Sequence, residues 1–177
     1  MQELCKHIKP GAVLLLFLIT IPSTAQQGWM LGIAPSIELN ENLLGANVRL
    51  YYGPNDHFCF GPEVTFFPYQ EIDNEYELTV TELNLNAHYI FELTHKLGIY
   101  PLTGLNYTIE KERLVEESDE FKEATEFGLN YGLGIHYYLG SLYAFTEFKG
   151  VTGKLNDEFI SIGVIFSLSG GKEKQEH

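Results

Sequence analysis

Cysteine is scarce in this chain, with two among 177 residues, Cys5 and Cys59. Cys5 falls in a segment expected to be removed on export, which leaves Cys59 alone and excludes an intrachain disulfide. Basic residues are also scarce: 11 Lys and Arg stand against 24 Asp and Glu, a formal net charge of -13. That balance argues against a nucleic-acid partner. Long apolar runs are missing beyond the first twenty-odd residues, as is any sustained helical periodicity. Aromatic residues are plentiful, with 11 Tyr and 12 Phe. Disorder is therefore not expected outside loops and the tail.

The one apolar run has a specific reading. Lys6 and Lys9 form a positive start, Ala12 to Ile21 (AVLLLFLITI) an apolar core, and Ser23-Thr24-Ala25 a small-residue cleavage site. Residues 1–25 are thus predicted to be a signal peptide, with a mature chain starting at Gln26. A membrane anchor is the alternative, but the run falls short of the roughly 20 apolar residues a spanning helix needs. Cys5 precedes the apolar core, whereas a lipid-attachment cysteine follows it, so lipidation is not expected. Losing Lys6, Lys9 and Glu3 makes the mature chain slightly more acidic.

The rest of the sequence alternates. Eight runs read as strands: Trp29–Leu39, Leu43–Tyr52, His57–Pro68, Leu78–Phe91, Leu97–Glu110, Thr125–Leu139, Leu142–Val151 and Glu158–Leu168. In each, apolar residues take one parity while small or polar ones take the other, the period of a strand with two unlike faces. In FGLNYGLGIHYYLG, for example, Phe127, Leu129, Tyr131, Leu133, Ile135, Tyr137 and Leu139 oppose Gly128, Asn130, Gly132, Gly134, His136 and Tyr138. Only Leu142–Val151 is ambiguous by hydrophobicity. Gly140-Ser141, with glycine first, suits a two-residue type II′ turn. That turn sets Leu139 opposite Leu142, Gly134 opposite Glu147 and Gly132 opposite Lys149. Glu147 and Lys149 then share the glycine face, and the two glycines are expected to clear space for them.

Charge decides which face looks inward. The polar face carries Glu38, Asn47, Arg49, Glu63, Glu82, Asn84, Asn86, His88, Asn106, Asn130, His136, Glu147 and Lys149, while the other has essentially none. A soluble barrel such as a lipocalin needs the reverse. In water the apolar face would exceed the few hundred Å² that soluble monomers usually show. A two-sheet sandwich could hide that face, but its outer surface would not need so many glycines. About ten residues at roughly 3.3 Å each, tilted by about 40°, rise close to 25 Å, the apolar height of membrane barrels. Trp29, Tyr52, Tyr89, Phe91 and Tyr137 lie toward the short-turn end, as a girdle of amphipathic rings at the headgroups. Most connections at one end are short. At the other, Gln70–Glu77 and Lys111–Ala124 are longer and acidic and Thr152–Asp157 is intermediate, while Asn40–Asn42 is short and breaks the pattern.

With signal peptide, eight alternating runs, aromatic rings and asymmetric loops in place, the chain resembles small outer-membrane β-barrel proteins of the OmpA/OmpX type from Gram-negative bacteria. The resemblance covers Trp29 to about Leu168 and rests on architecture rather than a diagnostic motif. It implies an all-β, eight-stranded antiparallel up-and-down transmembrane barrel over residues 26–168, followed by a polar tail, 169–177. It also implies outer-membrane localisation, contact with outer-membrane lipid and lipopolysaccharide, and insertion by the outer-membrane assembly machinery. Family members commonly end on an aromatic residue. Here Phe166 is followed by Ser167, Leu168 and the tail SGGKEKQEH, so the assembly signal would be read internally, around GVIFSL.

An eight-stranded barrel is just wide enough for side chains to fill. Arg49 and Lys149 are accordingly expected to neutralise Glu63, Glu82 and Glu147 in a satisfied network, because buried charge needs a partner. His88 and His136 lack metal-ligand spacing and have no nucleophilic Ser or Thr two residues away, so they read as interior filling. No cofactor or metal is expected, and no catalytic residue. The acidic loops, with Glu71, Asp73, Glu75, Glu77, Glu112, Glu116, Glu117, Asp119, Glu120 and Glu123, read as a solvated surface. Collection of divalent cations bridging to lipopolysaccharide is the functional alternative. The expected role is structural or surface-interactive: envelope integrity, adhesion or contact with a surface partner. A lipid-modifying barrel enzyme and a soluble periplasmic lipid carrier are the rival functions.

Overall fold

The computed structural model of the chain describes residues 28–72, 76–114, 121–153 and 157–168. The segment 1–25 expected to be a signal peptide and the expected polar tail at 169–177 lie outside these, as do Asp73, Glu75, Glu116, Glu117, Asp119 and Glu120 of the acidic loops. The strands are β1 (Gly28–Glu38), β2 (Leu44–Asn55), β3 (Phe58–Ile72) and β4 (Tyr76–Tyr89, resuming at Phe91–Glu92). They continue with β5 (Leu97–Leu114), β6 (Phe121–Tyr138), β7 (Leu142–Thr152) and β8 (Glu158–Ser167).

Each strand pairs antiparallel with its neighbours in sequence. Pairing of β1 with β8, from Met30 opposite Ser167 to Glu38 opposite Phe159, closes the barrel. Closure removes every sheet edge within the barrel wall, the condition for strands to cross hydrocarbon. Alternation then becomes inside and outside. Along β6, Phe127, Leu129, Tyr131, Leu133, Ile135 and Tyr137 are exposed, while Asn130 between them is buried. The same belt continues through Ile33, Val48, Val64, Leu85, Leu105 and Ile162.

Turn chemistry fixes register. Gly140 has a φ of 98°, and Leu139 N–H donates to the Leu142 carbonyl at 2.9 Å. The hairpin therefore sets Gly134 opposite Glu147 and Gly132 opposite Lys149, the register expected from that turn. The two register shifts, Tyr52 to Asn55 in β2 and Phe67 to Gln70 in β3, each enclose a proline, Pro54 and Pro68. Proline has no N–H to give a ladder, so a bulge forms there.

Two pairs of strand ends depart from expectation. Lys111–Leu114 and Phe121–Ala124, expected in a loop, extend β5 and β6 to Arg113 opposite Phe121. Likewise β3 and β4 run to Ile72 opposite Tyr76. Closely spaced charged residues make these segments look like loop in the sequence. In the fold they face one another, with Lys111 3.2 Å from Glu123 and Arg113 paired with Glu77. Pairing of β6 with β7 ends at Leu129 opposite Thr152. The ends of β3, β4, β5 and β6 therefore stand beyond the barrel as a four-stranded blade. Both flanks of its base are capped by side chains. The Gln70 amide bonds Leu44 N–H at 2.8 Å and the Leu44 carbonyl at 3.0 Å. The Thr152 hydroxyl does the same for Leu129, at 3.1 and 3.3 Å.

Candidate functional site

The polar interior is the chemically distinctive part of the molecule. Arg49 on β2, Glu63 on β3, Glu82 on β4, and Glu147 and Lys149 on β7 meet in the lumen, all essentially inaccessible to solvent. The Arg49 fork holds Glu147 through Nη1 to Oε2 at 2.9 Å and Nη2 to Oε1 at 3.2 Å. Its Nη2 also lies 3.3 Å from Glu63 Oε2. Lys149 Nζ reaches Glu63 Oε1 at 2.9 Å and Glu82 Oε2 at 3.0 Å. Glu63 thus bridges both cations, and all five groups form one network. Charge-assisted bonds of this kind are the strong ones, and the bidentate fork adds geometric specificity.

Neutral donors complete it. Tyr51 donates to Glu63 and Tyr100 to Glu147, both at 3.0 Å. Arg49 Nε donates to Asn47 at 2.8 Å, and Asn106 Nδ2 donates to Glu82 at 3.1 Å and to Asn84 at 2.8 Å. Asn130 donates in turn to Asn84 and Asn86 at 2.9 and 2.7 Å. The cations also lie over rings, Arg49 4.4 Å from the Phe145 centroid and Lys149 5.1 Å from that of Phe159. Charge on the polar face does not single out Tyr51, Tyr100 or Phe145. The available signal is parity, since Tyr51 is two residues from Arg49 and Phe145 two from Glu147.

The histidines stand outside this network. His88 sits between Tyr51, edge-on at 4.7 Å, and Tyr100, stacked at 4.8 Å. His136 stacks on Tyr100 at 5.9 Å and meets Tyr143 at 5.3 Å. They form part of an aromatic column leading toward the short-turn end. Toward the other end an apolar cluster lies beside the lumen's carboxylates. Leu43, Phe67, Leu78, Val80, Val151 and Phe159 form a buried cluster against which Ile72 and Tyr76 pack. Several of these are inward by parity in the sequence, yet a charge-based view of the face passes over them.

The glycines correct one expectation. Gly132 and Gly134 do lie opposite Lys149 and Glu147, but those side chains are not what fills the space above them. A Cβ on Gly134 would fall within the Tyr100 ring, and one on Gly132 would meet the Phe148 carbonyl and Leu102. Rings and branched chains from the strand on the other side, β5, use the clearance. Gly134→Val is accordingly expected to cost about 1–3 kcal/mol through overpacking against Tyr100. Urea titration of the folded protein in lipid vesicles would measure it, and Gly134→Val with Tyr100→Ala should recover part of the loss.

On the outside, Trp29 packs on Tyr52 at 5.3 Å and Tyr89 on Phe91 at 5.0 Å. Tyr137 is exposed at the same short-turn end. Tyr107 and Phe127, 4.6 Å apart, occupy the opposite margin.

A closed eight-stranded barrel with an apolar outer belt and an ion-paired lumen has the fold of small outer-membrane β-barrels. Solved structures agree on that fold. The N-terminal β-barrel domain of Pseudomonas aeruginosa OprF superposes with a TM-score of 0.62 at 19% identity, covering 80% of this chain and 98% of that domain. A major outer membrane protein from Thermus thermophilus gives 0.60 at 11% identity, over 80% and 99%. Ail, the attachment invasion locus protein of Yersinia pestis, gives 0.59 at 13% identity, over 81% and 97%. No protein-family model and no curated protein matches the sequence.

Proposed function

We propose that the chain is an integral outer-membrane protein with a structural and surface-contact role, rather than a catalyst or a pore of useful width. The observation carrying this reading is the combination of an exposed apolar belt with a lumen filled by ion-paired side chains. Side chains filling the lumen support a reading without a continuous water path, and among the described residues His88 and His136 pack against tyrosine rings, which speaks against a catalytic pair. Residues 1–25 would direct export, the assembly machinery would read the end of β8, and lipid with lipopolysaccharide would surround the belt.

Contact with a surface partner would fall to the long-loop end, where the blade projects. Ail, by name an attachment protein, shares this architecture. Glu41, Glu112, Glu123 and Glu126 lie at that end here, which favours cationic partner surfaces, or polyanionic ones only through divalent cations. Fractionation with gel mobility before and after boiling tests the membrane reading. The unboiled protein should partition with outer membranes and migrate differently from the boiled one. Recovery as a soluble protein without detergent would overturn it. A second readout places the blade. Thr125→Cys should react on intact cells with a membrane-impermeant maleimide, while the buried Cys59 should not.

A further inference from the structure

At the long-loop end of the barrel carboxylates outnumber cations among the described residues, where Lys111 pairs with Glu123 and Lys122 lies across the ladder from Glu112. Asp157, in the turn before β8, faces Glu110 of β5, Glu38 of β1 and Glu82 of β4. Glu41, Glu112 and Glu126 stand around Glu110, and Glu158 follows Asp157 in the chain. Lys149, the cation deeper in the lumen, is engaged by Glu63 and Glu82. Glu38 accepts the Asn40 and Glu41 N–H groups at 2.6 and 2.7 Å.

Asp157 is placed differently. Its Oδ2 is shut off from solvent and accepts no hydrogen bond, while the Asn40 side chain meets the carboxyl group. Its backbone is structural: the Asp157 carbonyl accepts Val151 N–H at 2.9 Å, and the next carbonyl, of Glu158, accepts Leu39 N–H at 2.9 Å. These two bonds tie the end of β7 to β8 and the end of β1 to β8. The acid therefore sits on the strap that holds three strand ends together.

We propose that Asp157 is a protonation-dependent clasp: neutral, it lies quietly against Glu38, Glu82 and Glu110 and keeps the ends of β1, β7 and β8 hydrogen-bonded; ionised, it is repelled by them and those ends fray. Burial and the facing carboxylates push its carboxyl up to about 7. Because this lies above the ordinary aspartate value of about 3.9, the clasp is complete below about pH 4 and is lost as pH rises through about 7. A mildly acidic exterior would close the long-loop end of the barrel, and an alkaline one would loosen it.

Amide hydrogen exchange reads the two strap bonds directly. The full mature barrel, folded in phosphatidylcholine nanodiscs with EDTA to exclude divalent cations, is compared at about pH 5.5 and about pH 8.5, after correction for intrinsic exchange rates. Protection of the Val151 and Leu39 amides should fall about tenfold or more at the higher pH, while mid-barrel amides such as that of Ile135 stay unchanged. Asp157→Asn should keep both amides protected at both values. Equal protection of the wild-type amides at the two pH values would overturn the proposal. So would an Asp157→Asn barrel that loses protection as the wild type does. Should that variant not fold, a carbon NMR titration of the wild-type Asp157 carboxyl decides. A midpoint near 7 that coincides with the amide changes supports the clasp, and an ordinary aspartate midpoint overturns it.

Discussion

Arg49→Met is expected to destabilise the folded barrel by about 3–5 kcal/mol, the cost of breaking a buried ion pair from one side. Methionine keeps most of the side-chain volume against Phe145 but removes both fork bonds to Glu147 and the contact with Glu63. Glu63 retains Lys149 and Tyr51. Glu147 keeps the Tyr100 hydroxyl but becomes a buried carboxylate without its cation. Arg49→Met with Glu147→Gln should recover much of the loss, because the second change removes the stranded charge. Arg49→Lys should recover little, since an ammonium supplies neither the fork nor the Nε bond to Asn47. Reversible urea unfolding in phospholipid vesicles, analysed as a double-mutant cycle, measures all three. A loss below about 1 kcal/mol for Arg49→Met would mean that the lumen is hydrated and the network behaves as a surface pair.

Leu133→Arg tests the opposite face of the wall. Leu133 is 66% exposed in the isolated chain and lies midway along the stretch of β6 that pairs with β7, Leu129–Tyr138, opposite Pro101 on β5 and Phe148 on β7. Arginine there should cost about 2–4 kcal/mol in a bilayer, the penalty at the midplane of a membrane barrel. The same substitution at Phe127, near the long-loop margin, should cost less, because the side chain can reach the headgroups. A soluble sandwich would show no such dependence on depth. The comparison therefore checks the assignment of lipid and lumen independently of gel mobility. One residue away from Leu133 on either side, glycines face a lumen that already holds two cations; that contrast over a single residue is the physical content of period-two alternation.

Much of this was legible along the chain. Parity placed Arg49, Glu63, Glu82, Glu147 and Lys149 on one face, and the Gly140-Ser141 turn set the register of β6 against β7. Less legible was which charge meets which. Arg49 and Glu147 are 98 residues apart, and their meeting depends on the tilt and stagger accumulated around the closed wall. The glycine clearance was visible, but its occupants, Tyr100 and Leu102, come from a strand that local pairing with β7 does not report. The blade was hidden for a different reason. Lys111, Arg113 and Glu123 resemble a solvated loop until Glu77 and one another lie across the ladder.

What the sequence determined by itself is therefore local and repetitive. A strand's period of two fixes which side chains share a face, and the absence of charge on one face assigns that face to lipid. The tertiary structure alone decided the contacts across the lumen: the Arg49 fork on Glu147, the bridging by Glu63, the histidine–tyrosine column and the apolar cluster around Phe67 and Phe159. The reason is geometric. Alternation is set within a few residues by backbone covalent geometry, whereas a meeting across a barrel requires all eight registers and the closure of β1 on β8 at once.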